Sequence, residues 1–438
     1  MKGQPILSAH FARRTPSSIR LAQIEFARRK DAVKVVNVAI GNVSLPMHPA
    51  MIRRMAALAG EGSPFREGVV RYTPTVGLEE TRAAFLNIIA SSGFDTEGLQ
   101  VLVTDGGSAA MELAILGVCG PAGTGERPLL AIDPVYTNYL AFAERLGRGV
   151  VSMTRTLNRD GSFSLPDRDQ IERLIRETRP GALLVIPYDN PTGQLYDLEL
   201  FASLARQCVE HNLWLVSDEA YRELNYTGRP TPSLWALTEA QVPGVCGRRI
   251  SIESASKVWN ACGLRIGALV TDNEEFHRRA VAEATANLCA NAIGQHIFAA
   301  LAGESREELR RWYRKQADYY RSLLADMTGE LLRLLPGLIV SSPSAAIYSV
   351  VDVREIVKPG FSAVEFVMFC AREGAVSLEG ERTTLLVAPM SGFYQVPPGQ
   401  HDPGATQMRI AYVGSPEDLR QVPRLFKELL GAFERLRS

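Results

Sequence analysis

The sequence lacks three features that would place it in a nucleic-acid-binding or membrane class: a net charge, a long apolar run and an apolar leader. Its 438 residues include 48 Lys and Arg and 48 Asp and Glu, so the formal net charge is zero. Proteins that bind nucleic acids or acidic membranes carry a basic excess. No apolar run is long enough to cross a bilayer, and the N-terminus has no apolar core with a cleavage site. We therefore expect no nucleic-acid partner and no membrane partner.

Cysteine and histidine are scarce. The six cysteines are scattered without a Cys-x-x-Cys pair, and the six histidines show no spacing typical of metal ligands. Isolated cysteines indicate reduced, packed thiols, because disulfides are rare in the cytoplasm. We therefore predict a cytoplasmic protein without a metal site.

Apolar runs alternate with amphipathic stretches through the first two thirds of the chain. The runs PLLAIDP (128–134), GALLVIP (181–187) and LWLVSD (213–218) contain almost no polar residue before their ends. The stretches RDQIERLIRET (168–178) and DLELFASLARQCVEHN (197–212) carry apolar positions at helical spacing. Strands that are apolar on both faces and separated by helices indicate a mostly parallel α/β sheet covered on both sides.

The pattern changes after about residue 300. A long charged amphipathic helix is predicted over 304–336, and shorter strands follow at 345–353 and 406–414. A last helix begins at Ser415, a serine cap followed by a proline and two acids. These elements indicate a smaller α+β domain. We divide the chain into an N-terminal arm with part of the small domain, a large domain and a small domain, at residues 1–48, 49–300 and 301–438.

Three polar turns follow apolar runs, at the carboxyl ends of strands where α/β proteins bind ligands. The turn GGS (106–108) precedes a helix, whose free N–H groups and dipole suit a phosphate. NPTG (190–193) follows the run GALLVIP. SDEAY (217–221) places Asp218 at the end of an apolar run, where burying a carboxylate costs free energy unless a positive charge faces it. Taken singly, these motifs are explained as well by a tight turn, an Asx–Pro turn and a helix cap.

A lysine lies in the turn between two further apolar runs. Lys257 follows RISIES (249–254), and Arg265 precedes IGALVTD (266–272). Partial burial generally lowers the pKa of a lysine amine, which frees it to attack a carbonyl. A lysine whose only role is to be solvated is unexpected in a turn of small residues between buried strands. We therefore take Lys257 as a candidate reactive group.

In this order, GGS, NPTG, DEAY, SASK (254–257) and GLRIG (263–267) resemble the pyridoxal-phosphate aminotransferases of class I, the aspartate aminotransferase-like enzymes of fold type I. The resemblance covers residues 41–409. It implies a large domain with a mostly parallel seven-stranded sheet flanked by helices, plus a smaller α+β domain. It also implies pyridoxal 5'-phosphate as the cofactor.

The resemblance implies roles around the cofactor ring. Lys257 would form the internal aldimine and then act as the base. Asp218 would pair with the ring nitrogen and keep it protonated, which makes the ring an electron sink. Tyr221 and Asn190 would bind the phenolic oxygen. Tyr136 matches the aromatic residue that stacks on the ring, although a core tyrosine explains its spacing as well.

The resemblance also implies how the phosphate is held. Charge-assisted and backbone hydrogen bonds would come from a set of small, polar and cationic residues. This set consists of Gly106, Gly107, Ser108, Ser254, Ser256 and Arg265. Tyr72 resembles the tyrosine that reaches the phosphate of the neighbouring subunit, which implies a homodimer with active sites at the interface.

Substrate binding is assigned in the same way. Arg409 would clamp the α-carboxylate, since a planar guanidinium binds carboxylates through two bonds, and Gly41 and Asn190 would lie beside it. The alternative is an edge-strand arginine facing water. Three further arginines are candidates for a distal carboxylate, although each alone is better explained as a solvated surface residue. They are Arg66, Arg71 and Arg382.

Three departures from the family concern the surroundings of the ring and substrate. Tyr139 lies where some relatives place a histidine beside the acid that binds the ring nitrogen. The segment 343–352, PSAAIYSVVD, lacks a glycine pair that many relatives carry, and 382–398 is longer and richer in proline. These segments bear on substrate specificity.

We therefore predict an aminotransferase that moves an amino group from an L-amino acid to a 2-oxo acid, 2-oxoglutarate or pyruvate, with ping-pong kinetics. Other reactions hosted by the same scaffold stay open: C–S lyase, decarboxylase and cyclising synthase. A cofactor-binding regulatory protein without turnover is disfavoured, because the chain has no basic patch for DNA.

Overall fold

The computed structural model of the chain describes residues 5–123, 125, 127–378, 380–397 and 399–437. The first four residues of the predicted arm, and Pro398 of the predicted proline-rich segment, lie outside the described residues. The α-helices are, in chain order, α1 Ala9–Arg13, α2 Ser18–Ala27, α3 Pro49–Ala56, α4 Glu79–Ser91, α5 Gly106–Cys119, α6 Thr137–Arg145, α7 Arg168–Thr178, α8 Leu198–Glu210, α9 Glu274–Ala284, α10 Ala292–Phe298, α11 Arg306–Leu334, α12 Ala363–Arg372 and α13 Pro416–Leu436.

The strands form three sheets. In chain order they are β1 Lys34–Asn37, β2 Gln100–Thr104, β3 Leu129–Asp133, β4 Val150–Thr154, β5 Ala182–Val185, β6 Trp214–Asp218, β7 Arg249–Ser254, β8 Gly267–Thr271, β9 Ile339–Val340, β10 Tyr348–Asp352, β11 Val376–Leu378, β12 Glu381–Leu386, β13 Ala388–Pro389 and β14 Gln407–Ala411.

The largest sheet has the strand order β2-β8-β7-β6-β5-β3-β4. All neighbouring strands in it are parallel except β8, which runs antiparallel to β2 and to β7. Alternate residues of β3 belong to two separate hydrophobic clusters, Leu130 and Ile132 to one and Leu129 and Ala131 to the other. The sheet is therefore packed on both faces, and the predicted mostly parallel α/β sheet flanked by helices is confirmed.

Two smaller sheets have the orders β1-β12-β11 and β13-β14-β10-β9. Strand β1 is parallel to β12, with Lys34 opposite Thr383 and Asn37 opposite Leu386. The second sheet is antiparallel throughout. The first strand of the chain thus pairs with a strand that lies more than 340 residues further along the sequence. The boundaries drawn at residues 48 and 300 stay a prediction.

The last helix shows how the sequence sets an element and its packing. The Ser415 hydroxyl accepts a hydrogen bond from the Asp418 N–H at 3.1 Å, and Pro416 occupies the first helical position. The apolar positions of α13 recur every three or four residues, and all are buried. They are Leu419, Val422, Phe426, Leu429 and Phe433.

Some predicted boundaries are wrong, for identifiable reasons. The apolar run VVNVAIG (35–41) predicts a strand that ends at Gly41. The strand ends at Asn37, because the carbonyls of Ala39 and Gly41 accept hydrogen bonds from side chains instead of a neighbouring strand. The sequence also predicts a helix from Pro49 to Gly60, and this helix ends at Ala56. Strand β4 and helix α6 were not predicted at all.

None of the described helices combines the length and apolar character needed to span a bilayer. In the same part of the chain, no group of three or more His, Cys, Asp and Glu side chains is arranged to hold a metal ion. All six cysteines are free thiols.

Candidate active site

A cavity of about 230 Å³ lies at the carboxyl ends of the parallel strands. Strands β6 and β7 lead into it directly, while helix α2 and strand β14 close it from the other side. The structure brings most of the predicted site residues together here. Those that line the cavity are Gly41, Gly107, Ser108, Tyr136, Asn190, Asp218, Tyr221, Ser254, Ser256, Lys257, Arg265 and Arg409.

Lys257 lies half-buried in the loop between β7 and β8. Its Nζ atom donates a hydrogen bond to the carbonyl oxygen of Gly41 at 2.5 Å. A Cβ atom on Gly41 would lie 3.2 Å from that Nζ atom and 2.2 Å from the hydroxyl of Tyr348. Glycine at position 41 therefore allows the backbone to approach the amine closely.

The predicted phosphate cradle forms at the N-terminus of α5. Gly106 has a φ of +80°, and a Cβ atom on it would lie 2.2 Å from Nη2 of Arg265. A Cβ atom on Gly267 would lie 2.4 Å from the backbone nitrogen of Gly107, so this glycine lets β8 pack against the turn. Gly107 and Ser108 at the N-terminus of α5, together with Arg265 and Ser254, therefore line the cavity near one another, and a helix N-terminus with a guanidinium suits an anion.

Asp218 ends strand β6 with its carboxylate at the cavity. One oxygen accepts a hydrogen bond from the hydroxyl of Tyr139 and the other from the N–H of Ala220. Burial raises the pKa of Asp218, while these two hydrogen bonds lower it. Both hydrogen-bond partners of this carboxylate are neutral.

Arg409 is buried on β14, which lies between β13 and β10, so it is not an edge-strand arginine facing water. Its guanidinium lies between the rings of Tyr348 and Phe393, 4.4 Å and 5.1 Å from their centroids. Nη1 donates to Oδ1 of Asn190 at 2.8 Å, and Nη2 donates to the carbonyl of Ala39 at 2.7 Å. Both partners are neutral, so the buried cation is held in place without being neutralised.

Tyr348 is a cavity residue that the sequence motifs did not reveal. Its hydroxyl lies 2.9 Å from that of Tyr221, whose pKa is well above its usual value, first because of burial and then because of Tyr348. Two residues earlier, Ala346 has a φ of +58°, a conformation that favours glycine. Ala346 lies in the segment 343–352, and the departure of this segment from the family pattern was the available sequence signal.

Tyr136 lines the cavity, with its ring edge-to-face against Tyr139 at 5.4 Å, so it is not simply a core tyrosine. Gly106 contacts Arg265 without lining the cavity. Tyr72 is 79% exposed and lies away from it.

The three arginines considered for a distal carboxylate do not line the cavity. Arg66 and Arg71 are exposed, and Arg382 lies 3.4 Å from Asp31 in an ion pair. Instead Arg20, an exposed residue of α2, lines the cavity, and its Nη1 donates to the side-chain oxygen of Gln23 at 3.0 Å. Arg20 belongs to no motif, and only the folded position of α2 places it here.

Comparison with known proteins assigns the chain to a family. The model of the family described as "Aminotransferase class I and II" matches residues 33–422. The chain belongs to this family. It is a pyridoxal-phosphate-dependent transaminase, and its substrates are amino acids and 2-oxo acids.

Relatives of this aminotransferase include two enzymes of Thermus thermophilus. The chain is 26% identical over 422 residues to an aspartate/prephenate aminotransferase, covering 92% of this chain and 98% of that one. It is 33% identical over 258 residues to a 2-aminoadipate transaminase, covering 57% of this chain and 60% of that one. A solved structure of Thermus thermophilus aspartate aminotransferase has the same fold, with a TM-score of 0.78 over 98% of this chain and 100% of that one at 22% identity.

The residues of the cavity fit the cofactor of this aminotransferase. The glycine turn at Gly106, with Arg265 where a Cβ atom would lie, suits a phosphate. Asp218 is a carboxylate with neutral partners only, which suits a protonated ring nitrogen. Pyridoxal phosphate supplies an electron sink for charge that develops at the substrate Cα. Lys257 places an amine in the same cavity.

Proposed function

We propose that this enzyme transfers an amino group from an L-amino acid to 2-oxoglutarate or pyruvate, in two half-reactions at the cavity that contains Lys257. The observation that carries the proposal is the convergence of an amine, a carboxylate and a buried guanidinium in one cavity: Lys257, Asp218 and Arg409. Because both half-reactions use this cavity, donor and acceptor bind in turn and the kinetics are ping-pong.

Lys257 has two tasks in this proposal. Its amine would hold the cofactor covalently until the substrate amine displaces it, and the freed amine would then take the proton from the substrate Cα and return it to the cofactor. The hydrogen bond from Nζ to the Gly41 carbonyl supports a fixed position for the amine. A general base must lie within hydrogen-bond reach of the proton that it moves, and a fixed amine meets this need.

The other side chains bind and orient the cofactor. Asp218 holds the ring nitrogen protonated, and Tyr221 with Asn190 binds the phenolic oxygen. The phosphate is held by the cradle of the α5 N-terminus together with Arg265, Ser254 and Ser256.

Arg409 binds the substrate α-carboxylate in this proposal. Its guanidinium is planar, buried and without an anionic hydrogen-bond partner, and the rings of Tyr348 and Phe393 fix its plane. Its Nε atom has no hydrogen-bond partner among the described residues. A carboxylate is the ligand that best matches such a group.

We further propose that the donor has an acidic side chain. Arg20 adds a fourth cationic side chain to the cavity, in addition to Lys257, Arg265 and Arg409. An adjoining groove of about 480 Å³ shares Arg20 and Lys257 with the cavity and adds the amide of Gln23. The names of the relatives, which refer to aspartate and 2-aminoadipate, support the same class.

A homodimer is proposed as the active form. Tyr72 and the neighbouring Val69 and Val70 are all exposed, which supports an interface at this loop through which Tyr72 reaches the phosphate of the partner subunit. A cytoplasmic location is proposed as well, and the free thiols support it.

The proposal is tested with Lys257→Ala and a matched surface variant, Lys427→Ala. Lys257→Ala is expected to lose the visible absorbance of the bound cofactor and at least about 100-fold in kcat, the lower range for a positioned general base. Lys427→Ala should keep both. Stoichiometric conversion of each amino donor into the 2-oxo acid with the same carbon skeleton, without release of ammonia, distinguishes transamination from lyase, decarboxylase or synthase activity. Wild-type protein that releases no 2-oxo acid with any donor contradicts the proposal.

A further inference from the structure

Three charged side chains are buried together directly behind the cofactor cavity. Glu219, Arg222 and Glu253 are each less than 5% exposed. Nε of Arg222 donates to Glu219 at 3.2 Å, and Nη2 of Arg222 donates to Glu253. We call these three residues the charged triad. None of them lines the cavity described above.

The two acids of the charged triad occupy equivalent places on adjacent parallel strands. Ser217 of β6 lies opposite Ser251 of β7. The Ser217 hydroxyl donates to Glu219 at 2.8 Å, and the Ser251 hydroxyl donates to Glu253 at 2.8 Å. A Ser-x-Glu unit is thus repeated at the same level of both strands, and Arg222 bridges the two carboxylates.

Each member of the charged triad is the chain neighbour of a cavity residue. Glu219 follows Asp218, Arg222 follows Tyr221, and Glu253 precedes Ser254. At the strand ends, Glu219 and Glu253 point to the face opposite to Asp218 and Ser254, and Arg222 reaches both acids from the turn after β6, so the backbone that carries the cavity side chains is tied together from behind. In this way the triad joins the end of β6, the turn after it and the end of β7.

Stability alone does not account for this arrangement. Removing two carboxylates and a guanidinium from water costs several kcal/mol per ion, and apolar replacements of buried ion pairs are often neutral or stabilising. Burial raises the pKa of Glu253, whereas Arg222 lowers it. Buried ionic groups have their best-attested use in fixing one arrangement against alternatives.

We propose that Arg222 is a positioning residue for the cofactor. The backbone ladder already joins β6 to β7, up to the hydrogen bond from the Glu219 N–H to the Ile252 carbonyl at 3.0 Å. By binding Glu219 and Glu253, Arg222 ties the turn after β6 to the end of β7, and so holds Asp218 and the turn in place relative to Ser254. The inference rests on the proposed roles of Asp218 and Ser254 as cofactor ligands.

The test removes the charges and keeps the neutral hydrogen bonds. The triple variant Glu219→Gln, Arg222→Met, Glu253→Gln retains amide oxygens that can accept from Ser217 and Ser251. Replacing Arg222 alone would leave two buried carboxylates without a cation and would endanger folding. The measured quantities are the dissociation constant for pyridoxal phosphate, the pH midpoint of the visible absorbance of the bound cofactor, and the melting temperature.

The expected result is a dissociation constant raised about tenfold, the size of effect that losing an outer-shell partner has on a bound metal. The pH midpoint should shift, both because Asp218 is displaced and because the charge of Glu219, which raises the pKa of Asp218, is removed. The melting temperature should change little. Arg222→Lys retains a cation between the carboxylates and should show a smaller loss of affinity.

A matched control is the partly buried ion pair at the other end of β7. Nε of Arg249 donates to Asp272 at 2.7 Å, and neither residue lines the cavity. The double variant Arg249→Met, Asp272→Asn should leave cofactor affinity and the pH midpoint unchanged. Equal effects in this control and in the triple variant would assign the triad a purely structural role and overturn the proposal.

A further result also overturns the proposal. It is a triple variant that keeps both the wild-type affinity for pyridoxal phosphate and the wild-type pH midpoint. If that variant does not fold, Glu253→Gln is the second test, and the same pair of unchanged values overturns the proposal there. Wild-type protein that fails to bind pyridoxal phosphate at Lys257 contradicts the proposed function first, and the inference falls with it.

Discussion

The hydroxyl of Tyr139 donates a hydrogen bond to the carboxylate of Asp218. The phenol is neutral, and burial raises its pKa well above the usual value, so it stays protonated and keeps donating. In this enzyme a neutral donor therefore lowers the pKa of a carboxylate whose burial raises it, and the donor contributes no charge of its own.

Tyr139→Phe is expected to make activity more sensitive to acid. Burial already raises the pKa of Asp218, and removing the hydrogen bond that lowers it raises that pKa further. A hydrogen bond to a charged group contributes about 1.5–3 kcal/mol, which corresponds to a shift of about one pH unit or more. The acidic limb of the kcat profile should move to higher pH by about that amount.

Tyr412→Phe is the matched control, because Tyr412 is a buried tyrosine whose hydroxyl bonds to Ser349 outside the cavity. It should lose stability without moving the acidic limb. An unchanged limb in Tyr139→Phe would contradict a role of Tyr139 in keeping Asp218 ionised.

Arg409→Lys is expected to lower kcat/KM about 100-fold, the equivalent of roughly 3 kcal/mol for lost charge-assisted hydrogen bonds. Lysine keeps the charge but not the planar fork that the rings of Tyr348 and Phe393 hold. The loss should be similar for amino donors and oxo acceptors, since both carry the same carboxylate. Cofactor affinity should stay at the wild-type value, and a large loss there would argue against the assignment.

Arg20→Ala is expected to change KM for acidic substrates but not for neutral ones. KM for dicarboxylic donors should rise about tenfold, or about 1.4 kcal/mol, while KM for monocarboxylic donors stays unchanged. Arg382→Ala is the control, because Arg382 pairs with Asp31 on the surface. Equal changes in KM for both classes of donor in Arg20→Ala would exclude Arg20 as the group that binds the acidic side chain of the donor.

Gly106→Ala is expected to weaken cofactor binding beyond its effect on stability. A left-handed backbone costs a non-glycine residue roughly 1–2 kcal/mol, and the new Cβ would also displace the guanidinium of Arg265. Gly98→Ala is the matched control, since Gly98 has a φ of +74° and a Cβ atom on it would meet no heavy atom within 4 Å. Both variants should melt lower, but only Gly106→Ala should raise the dissociation constant for pyridoxal phosphate.

Much of the large sheet could be predicted because its elements carry local signals. The predicted helix RDQIERLIRET has the same bounds as α7, and RISIES has the same bounds as β7. In both α7 and β7, the apolar periodicity and the polar residues that mark the ends of the element lie within one short stretch of sequence. The ligand-binding motifs could be recognised for a related reason, since NPTG and SASK are contiguous in the chain.

The rest could not be predicted because it depends on contacts between distant residues. Strands β9 and β13 have two residues each, too few to show a period. Tyr348 and Arg20 lie in ordinary apolar and helical contexts, and only the packing of β10 and α2 against the large sheet brings them to the cavity. The triad residue Arg222 is likewise indistinguishable in sequence from a solvated arginine.

The pairing of β1 with β12 sets an order of events in synthesis. Residues 34–37 find their hydrogen-bond partners only after residues 383–386 have been made. Gly41 and Arg20, which lie on either side of this strand, can take their places in the cavity only after that. During translation the large sheet can form first, and the amino-terminal wall of the cavity is completed only once most of the chain has left the ribosome.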